Sequence, residues 1–180
     1  MLNQLHIFGV KTPYPHVYAM PGRALTRARP YIVYFSGAST KLKCWPTQHF
    51  TELMRRISSE YPDCDHLMLE GIQDWEREYA RDILEPLKGL KNTGSIAAND
   101  IEQTTALVKG AELVVSNDTG IRHLAIVSDT PTVGIFFGDP YRYWPRYSIH
   151  EVALPKVDGP PEVDDVAAMC VKTLSIERKD

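Results

Sequence analysis

The chain has 180 residues, 43% hydrophobic and 24% charged, enough to bury one core of ordinary size. A net charge of −3 gives no basic field for nucleic acid, and no apolar run approaches the roughly 20 residues that span a bilayer. Cys44, Cys64 and Cys170 are odd in number, far apart and without a Cys-x-x-Cys pair. They suggest neither a zinc site nor a disulfide framework and fit reduced thiols in a cytoplasmic protein.

Residues 1–30 hold Lys11, Arg23, Arg27 and Arg29 and no acid, with Pro and Gly interspersed and a short strand expected at residues 4–8. They read as a linker or edge segment, and their charge also suits an arm docking on a partner. The start lacks the sustained apolar core and small-residue cleavage site of a signal peptide.

From residue 31 onward, strand and helix patterns alternate. Residues 31–35 form an apolar strand. Pro46 is expected to open a helix at its first position, with Phe50, Leu53, Met54 and Ile57 on one face. Residues 66–69 read as the next strand and 76–87 as a helix with Pro86 near its end. Residues 95–97 read as a short strand. Asn99-Asp100 cap another helix, with Gln103 placed much as in a capping box. Strands are expected at 111–115, 132–137 and 149–154, and helices at 120–127 and 163–174, the last entered through Pro160-Pro161. Such alternation predicts an α/β, Rossmann-like three-layer domain with a mostly parallel sheet over residues 31–180. Neither G-x-G-x-x-G nor G-x-x-x-x-G-K-[ST] occurs, so a nucleotide would have to be held in another way.

Four segments could carry chemistry. Residues 36–46, Ser-Gly-Ala-Ser-Thr-Lys-Leu-Lys-Cys-Trp-Pro, leave a strand and enter a helix. Their hydroxyls, N–H groups and lysines suit a pyrophosphate, though a solvated turn would look the same. Residues 116–125, Ser-Asn-Asp-Thr-Gly-Ile-Arg-His-Leu-Ala, again follow a strand. There Asp118 can accept hydroxyl hydrogen bonds, Thr119 and Gly120 allow close approach of a phosphate, and His123 lies about one turn into the helix. The same residues also make a good helix N-cap. After the second confident strand, Asp74 and Glu76 could hold a ribose as acceptors or merely favour the helix dipole. Residues 137–145 place Gly138, Pro140, Arg142 and several aromatics in a turn that lines a sugar pocket or folds over the sheet edge. No G-x-S-x-G elbow is present, and no histidine spacing suggests a metal.

Taken together these segments resemble glycosyltransferase family 9, the lipopolysaccharide heptosyltransferase family. The resemblance rests on Gly37-Ala38-Ser39-Thr40, Lys43-Cys44-Trp45-Pro46, Asn117 to Ala125, and Thr130-Pro131 to Phe137-Gly138. It covers about residues 31–155 and implies the C-terminal, nucleotide-sugar-binding half of a GT-B glycosyltransferase. On this resemblance Ser39, Thr40 and Lys43 meet the diphosphate, and Lys43 stabilises the leaving group. Asp118 takes sugar hydroxyls, Thr119, Gly120 and His123 surround the phosphates, and Glu76, ranked above Asp74, holds the ribose. The reaction implied is inverting transfer from ADP-heptose or a related nucleotide-sugar, with no metal or other cofactor. The catalytic base is expected on an N-terminal half or partner chain. The acceptor is expected to be a glycolipid at the inner face of the cytoplasmic membrane, and no nucleic acid is expected as partner. In such two-domain transferases the last helix crosses back to the N-terminal half; in this chain alone its apolar stripe is expected either to pack on its own domain or to be left partly exposed. Alternatives are a non-catalytic nucleotide-sugar-binding subunit, a nucleotide-sugar epimerase-like half, and a protein-interaction domain.

Overall fold

The computed structural model describes residues 20–138, 140, 149–156 and 159–176. The strand expected at 4–8, Asp139 and residues 141–148 lie outside them. Six strands, β1 (Tyr31–Phe35), β2 (Asp65–Leu69), β3 (Thr93–Ile96), β4 (Leu113–Asn117), β5 (Thr132–Ile135) and β6 (His150–Ala153), form one sheet in the order β3-β2-β1-β4-β5-β6. Every neighbouring pair is parallel. The helices are α1 (Thr47–Glu60), α2 (Asp74–Leu84), α3 (Ile101–Lys109), α4 (Gly120–Val127) and α5 (Val163–Leu174).

Strand alternation splits the core into two layers. Ile32 and Tyr34 of β1 face α1, α2 and α5, packing with Trp45, Phe50, Met54, Ile83, Val166 and Cys170. Tyr31, Val33 and Phe35 face α3 and α4, packing with Leu107, Val108, Leu124 and Ala125. Helix α1 therefore leaves β1 toward one face and α4 leaves β4 toward the other. The loops diverge between adjacent strands, and a crevice opens at their carboxyl ends.

Local signals explain most boundaries. Asp100 caps α3 by accepting from the Gln103 amide at 2.7 Å. The Gln103 side chain reaches back to the Asn99 N–H, one residue earlier than a standard capping box requires. Gln73 and Glu76 form a complete capping box that starts α2 two residues before the expected position. Pro86 ends that helix in a 3₁₀ turn, Glu85–Leu87. Pro46 is the N-cap of α1 rather than its first helical residue.

One strand boundary departs from expectation for a physical reason. β4 runs over Leu113–Asn117, not 111–115, because the Ala111 amide still closes the end of α3 on the Val108 carbonyl. Ser116 and Asn117 are thus ladder residues, both fully buried. The apolar stripe of α5 packs on its own domain, one of the two outcomes expected for it: Val166 and Cys170 sit in the layer shared with α1. Part of the basic arm also docks at home. Arg27 and Arg29 pair with Asp65 at 3.2 and 3.4 Å, and the Lys109 ammonium binds the Met20 and Gly22 carbonyls, each at 2.8 Å.

Two histidines are buried in the sheet. His66 Nε2 lies 3.3 Å from the Tyr61 carbonyl and Nδ1 lies 3.0 Å from the Tyr34 hydroxyl. A carbonyl can only accept, so Nε2 carries the proton and Nδ1 accepts from Tyr34. His150 Nδ1 lies 3.0 Å from the Thr132 hydroxyl. Burial lowers both imidazoles to about 4, with the charge of Arg122 a second cause at His150. The unfolded chain therefore binds protons between pH 6.5 and 4 that the folded chain refuses. Stability from this source is complete above pH 6.5 and falls as pH falls, by up to about 1.4 kcal/mol per pH unit per histidine. Urea-unfolding midpoints should drop between pH 6.5 and 5, before most carboxylates titrate, and His66→Gln should flatten the slope. An unchanged midpoint over that window would contradict the assignment.

Candidate functional site

The crevice between β1 and β4 is held by one side chain. The Asn117 amide group donates to the Ser36 carbonyl at 2.8 Å and the Gly37 carbonyl at 3.2 Å, and its oxygen accepts from the Trp45 N–H at 3.1 Å. Asn117 thus clamps both ends of loop 36–46 onto the end of β4. Trp45 extends the clamp. Its indole N–H donates to the Pro161 carbonyl at 2.7 Å, its carbonyl accepts from the Tyr79 hydroxyl at 2.9 Å, and its ring meets Phe50 edge-on at 5.1 Å. With its ends fixed, the loop presents residues 38–43 to solvent through a 3₁₀ turn, Lys41–Lys43.

An open cleft of about 970 Å³ lies beside this loop. Ser39, Lys43, Glu76, Asp118, Thr119, Gly120 and His123 all line it, so seven of the eight expected site residues share one space. Thr40 is the exception: it caps the 3₁₀ turn, its carbonyl accepting from the Lys43 amide at 3.0 Å, and it is not among the lining residues. A second pocket of about 210 Å³ is bounded by Lys43, Asp118, Ile135, Phe136, Phe137 and Gly138. Lys43 and Asp118 line both spaces and mark where the larger gives way to the smaller.

Glu76 reaches the cleft while finishing the cap of α2, accepting from the Gln73 amide at 3.0 Å. Glycines on both sides make its place. A Cβ at Gly37 would lie 2.5 Å from Glu76 Oε1, and one at Gly71 would lie 2.6 Å from Oε2. Asp74 is exposed, pairs with Arg77 at 2.6 Å and lines a separate groove between α2 and β3. Of the two candidate acids after β2, Asp74 and Glu76, only Glu76 lines the cleft.

At the start of α4, Thr119 is the N-cap but makes no side-chain cap bond. Its hydroxyl oxygen is buried without a hydrogen bond among the described residues. The first turn of a helix directs backbone amides that favour an anion toward such a cleft. Asp118 Oδ1 lies 3.8 Å from Arg122 Nη1 and 3.6 Å from His123 Nε2, ion-pair rather than hydrogen-bond distances. His123 is lowered from its ordinary value by burial first and by the Arg122 charge second. Among the described residues, no group of three or more His, Cys, Asp or Glu could hold a metal, and no helix is long and apolar enough to cross a membrane. The turn 137–145 lies mostly outside the described residues.

Sequence reasoning overlooked the roles of Asn117 and Arg122. Both stand in the expected motif, but a strand placed two residues early put Asn117 in a turn, where its clamp could not be foreseen.

The family model of glycosyltransferase family 9 (heptosyltransferase) matches residues 15–161. Lipopolysaccharide heptosyltransferase 1 of Campylobacter coli is 26% identical over 130 residues, 71% of this chain and 38% of its own length. The structure of E. coli heptosyltransferase WaaC with ADP-2-deoxy-2-fluoro heptose superposes with a TM-score of 0.65 at 25% identity, over 83% of this chain and 43% of that one. UDP-GlcNAc 2-epimerase from Neisseria meningitidis, bound to UDP-GlcNAc, superposes at 0.65 with 10% identity over 85% of this chain and 41% of that one, a likeness of fold alone. The chain spans less than half the length of each of these proteins.

Asn117→Ala removes three buried hydrogen bonds and strands two carbonyls and one N–H. It should cost about 2–4 kcal/mol in urea unfolding. A loss below about 0.5 kcal/mol, the size of an ordinary surface substitution, would contradict the clamp.

Proposed function

This chain belongs to glycosyltransferase family 9, the heptosyltransferase family, and from that premise we propose that its cleft binds the donor of the transfer, a nucleotide-sugar of the ADP-heptose kind. The observation that carries this reading is the position of Lys43 and Asp118, which line both a large and a small space at the β1–β4 crevice. The large space takes the nucleoside diphosphate, with Glu76 accepting from the ribose hydroxyls. The small one takes the sugar, with Asp118 accepting from its hydroxyls.

The chemistry is a direct displacement at the anomeric carbon. The acceptor hydroxyl loses its proton to a base, its oxygen bonds to that carbon, and the diphosphate departs with the bonding electrons. The configuration inverts because attack and departure lie on opposite faces. Negative charge grows on the departing oxygens, where Lys43, the Ser39 hydroxyl and the first-turn amides of α4 meet it. Thr119 adds a hydroxyl with no competing partner among the described residues. His123, whose imidazole burial shifts toward the neutral form, offers a ring N–H or an acceptor. These groups supply the charge stabilisation that metal-dependent transferases draw from a cation. Thr40 contributes backbone shape and not a side-chain contact. The base belongs to a second, acceptor-binding domain or chain, and the acceptor is a glycolipid presented at the cytoplasmic face of a membrane.

A second reading is a nucleotide-sugar-binding subunit that turns over only with such a partner. Turnover assayed alone and with a candidate acceptor-binding chain separates the two.

Calorimetric titration with ADP, UDP, GDP and ADP-heptose tests the donor site. ADP and ADP-heptose should bind in the millimolar to micromolar range, on the order of −4 to −8 kcal/mol. Lys43→Ala should weaken both by about 1.5–3 kcal/mol, the worth of a charge-assisted contact. Asp118→Ala should weaken ADP-heptose and leave ADP nearly unchanged. Equal losses for the two ligands would remove Asp118 from the sugar site, and no nucleotide binding at all would contradict the reading.

A further inference from the structure

Arg122 breaks two local rules at once. It occupies the third position of α4, in the first turn, where the helix dipole disfavours a cation. It is also fully buried, and burial lowers its guanidinium to about 10, still cationic at neutral pH. A further concession accompanies it. β5 carries a glycine in its interior, Gly134, where a Cβ would collide with the Arg122 side chain, lying 2.8 Å from its Cδ. Glycine weakens a strand, and one placed where another group approaches closely marks a space kept for that group.

The space is shaped to fix the guanidinium. Its Cζ lies 4.8 Å from the centroid of the Phe136 ring, and Gly134 leaves room for the stem. From there Nη1 faces the Asp118 carboxylate at 3.8 Å, one helical turn away. Asp118 has 36% of its side-chain surface exposed, while the cation behind it has none. One end of the pair is rigid and dry and the other opens to the cleft. Local concessions of this kind, gathered at one point, are expected at functional sites.

We propose that Arg122 is a positioning residue, a fixed cation behind the cleft wall that holds the Asp118 carboxylate in place to receive the sugar hydroxyls of the donor. The inference rests on the donor-binding reading above and adds a residue to it. Arg122 touches no substrate. It acts through Asp118 and so should affect the sugar part of the donor and not the nucleotide part. Phe136 shares this duty from two sides, bounding the small pocket and carrying the guanidinium.

The test is a double-mutant cycle read by calorimetry with ADP and ADP-heptose, with thermal unfolding followed for every variant. Arg122→Met keeps the length and packs on Phe136. It should weaken ADP-heptose about tenfold or more and change ADP less than about twofold, and Arg122→Lys should recover part of the loss. In an Asp118→Asn background, Arg122→Met should add nothing. Gly134→Ala supplies a second variant should Arg122→Met fail to fold. It displaces the guanidinium without removing its charge and should reproduce the selective loss. Additive losses in the cycle, equal loss of both ligands, or weaker ADP-heptose binding by Arg122→Lys than by Arg122→Met would overturn the inference while leaving the donor site standing. Wild-type chain that binds neither ligand would overturn both.

Discussion

The structure turns on a buried amide. In a doubly wound sheet the loops leaving β1 and β4 move to opposite faces, and nothing in the sheet ladder holds those loops together. Asn117 does so from the last position of β4, spending its oxygen and its amide hydrogens on backbone groups at both ends of loop 36–46. An asparagine suits this task because it donates and accepts without a charge to desolvate. Aspartate would set a carboxylate against two carbonyl oxygens, and leucine would strand all three backbone groups. Loop 36–46 can then be polar and solvent-facing in its middle because its ends are secured, and Trp45 passes that security on to α2 and the entry to α5.

The next residue along reverses the logic. Asp118 stands just past the end of β4, exposed where Asn117 is buried, with Arg122 behind it and His123 beside it. The junction therefore combines a rigid neutral clamp, an exposed acid, helix-start amides and a buried cation within seven residues of chain. Its charges are arranged by depth. The full positive charge of Arg122 is kept behind the wall, whereas the positive charge available to a ligand comes from exposed Lys43 and from backbone N–H groups. An anion would meet a mobile ammonium and fixed dipoles, and a hydroxyl would meet the held carboxylate. This division of labour suits a ligand that is a diphosphate at one end and a polyol at the other.

Much of this was legible in the sequence. Apolar runs such as residues 31–35 and cap signals such as Asp100 with Gln103 dictate alternating elements, because parallel strands must be apolar on both faces and helix starts must satisfy their amides. The cleft was legible as well, since ligands in such sheets gather at strand ends and the motif residues stood there. Three features were not. Ser116-Asn117 looked like a turn because polar residues seldom end a buried strand, and the β1 and β5 registers place them inside the ladder. Arg122 carries no local mark of burial; the signal is Gly134, twelve residues away and meaningful only in three dimensions. Thr40 looked equivalent to Ser39, and the 3₁₀ turn that it caps, outside the cleft lining, has no strong sequence mark.

The most direct test of the central claim, that the clamped β1–β4 crevice is the nucleotide site, is backbone amide chemical-shift mapping during titration with ADP. Shifts concentrated in residues 36–46 and 118–124, with smaller ones around Glu76, are the result this account predicts. Shifts centred on the groove between α2 and β3, around Arg81, Lys88 and Ser95, would contradict it, as would a titration that leaves every amide in place.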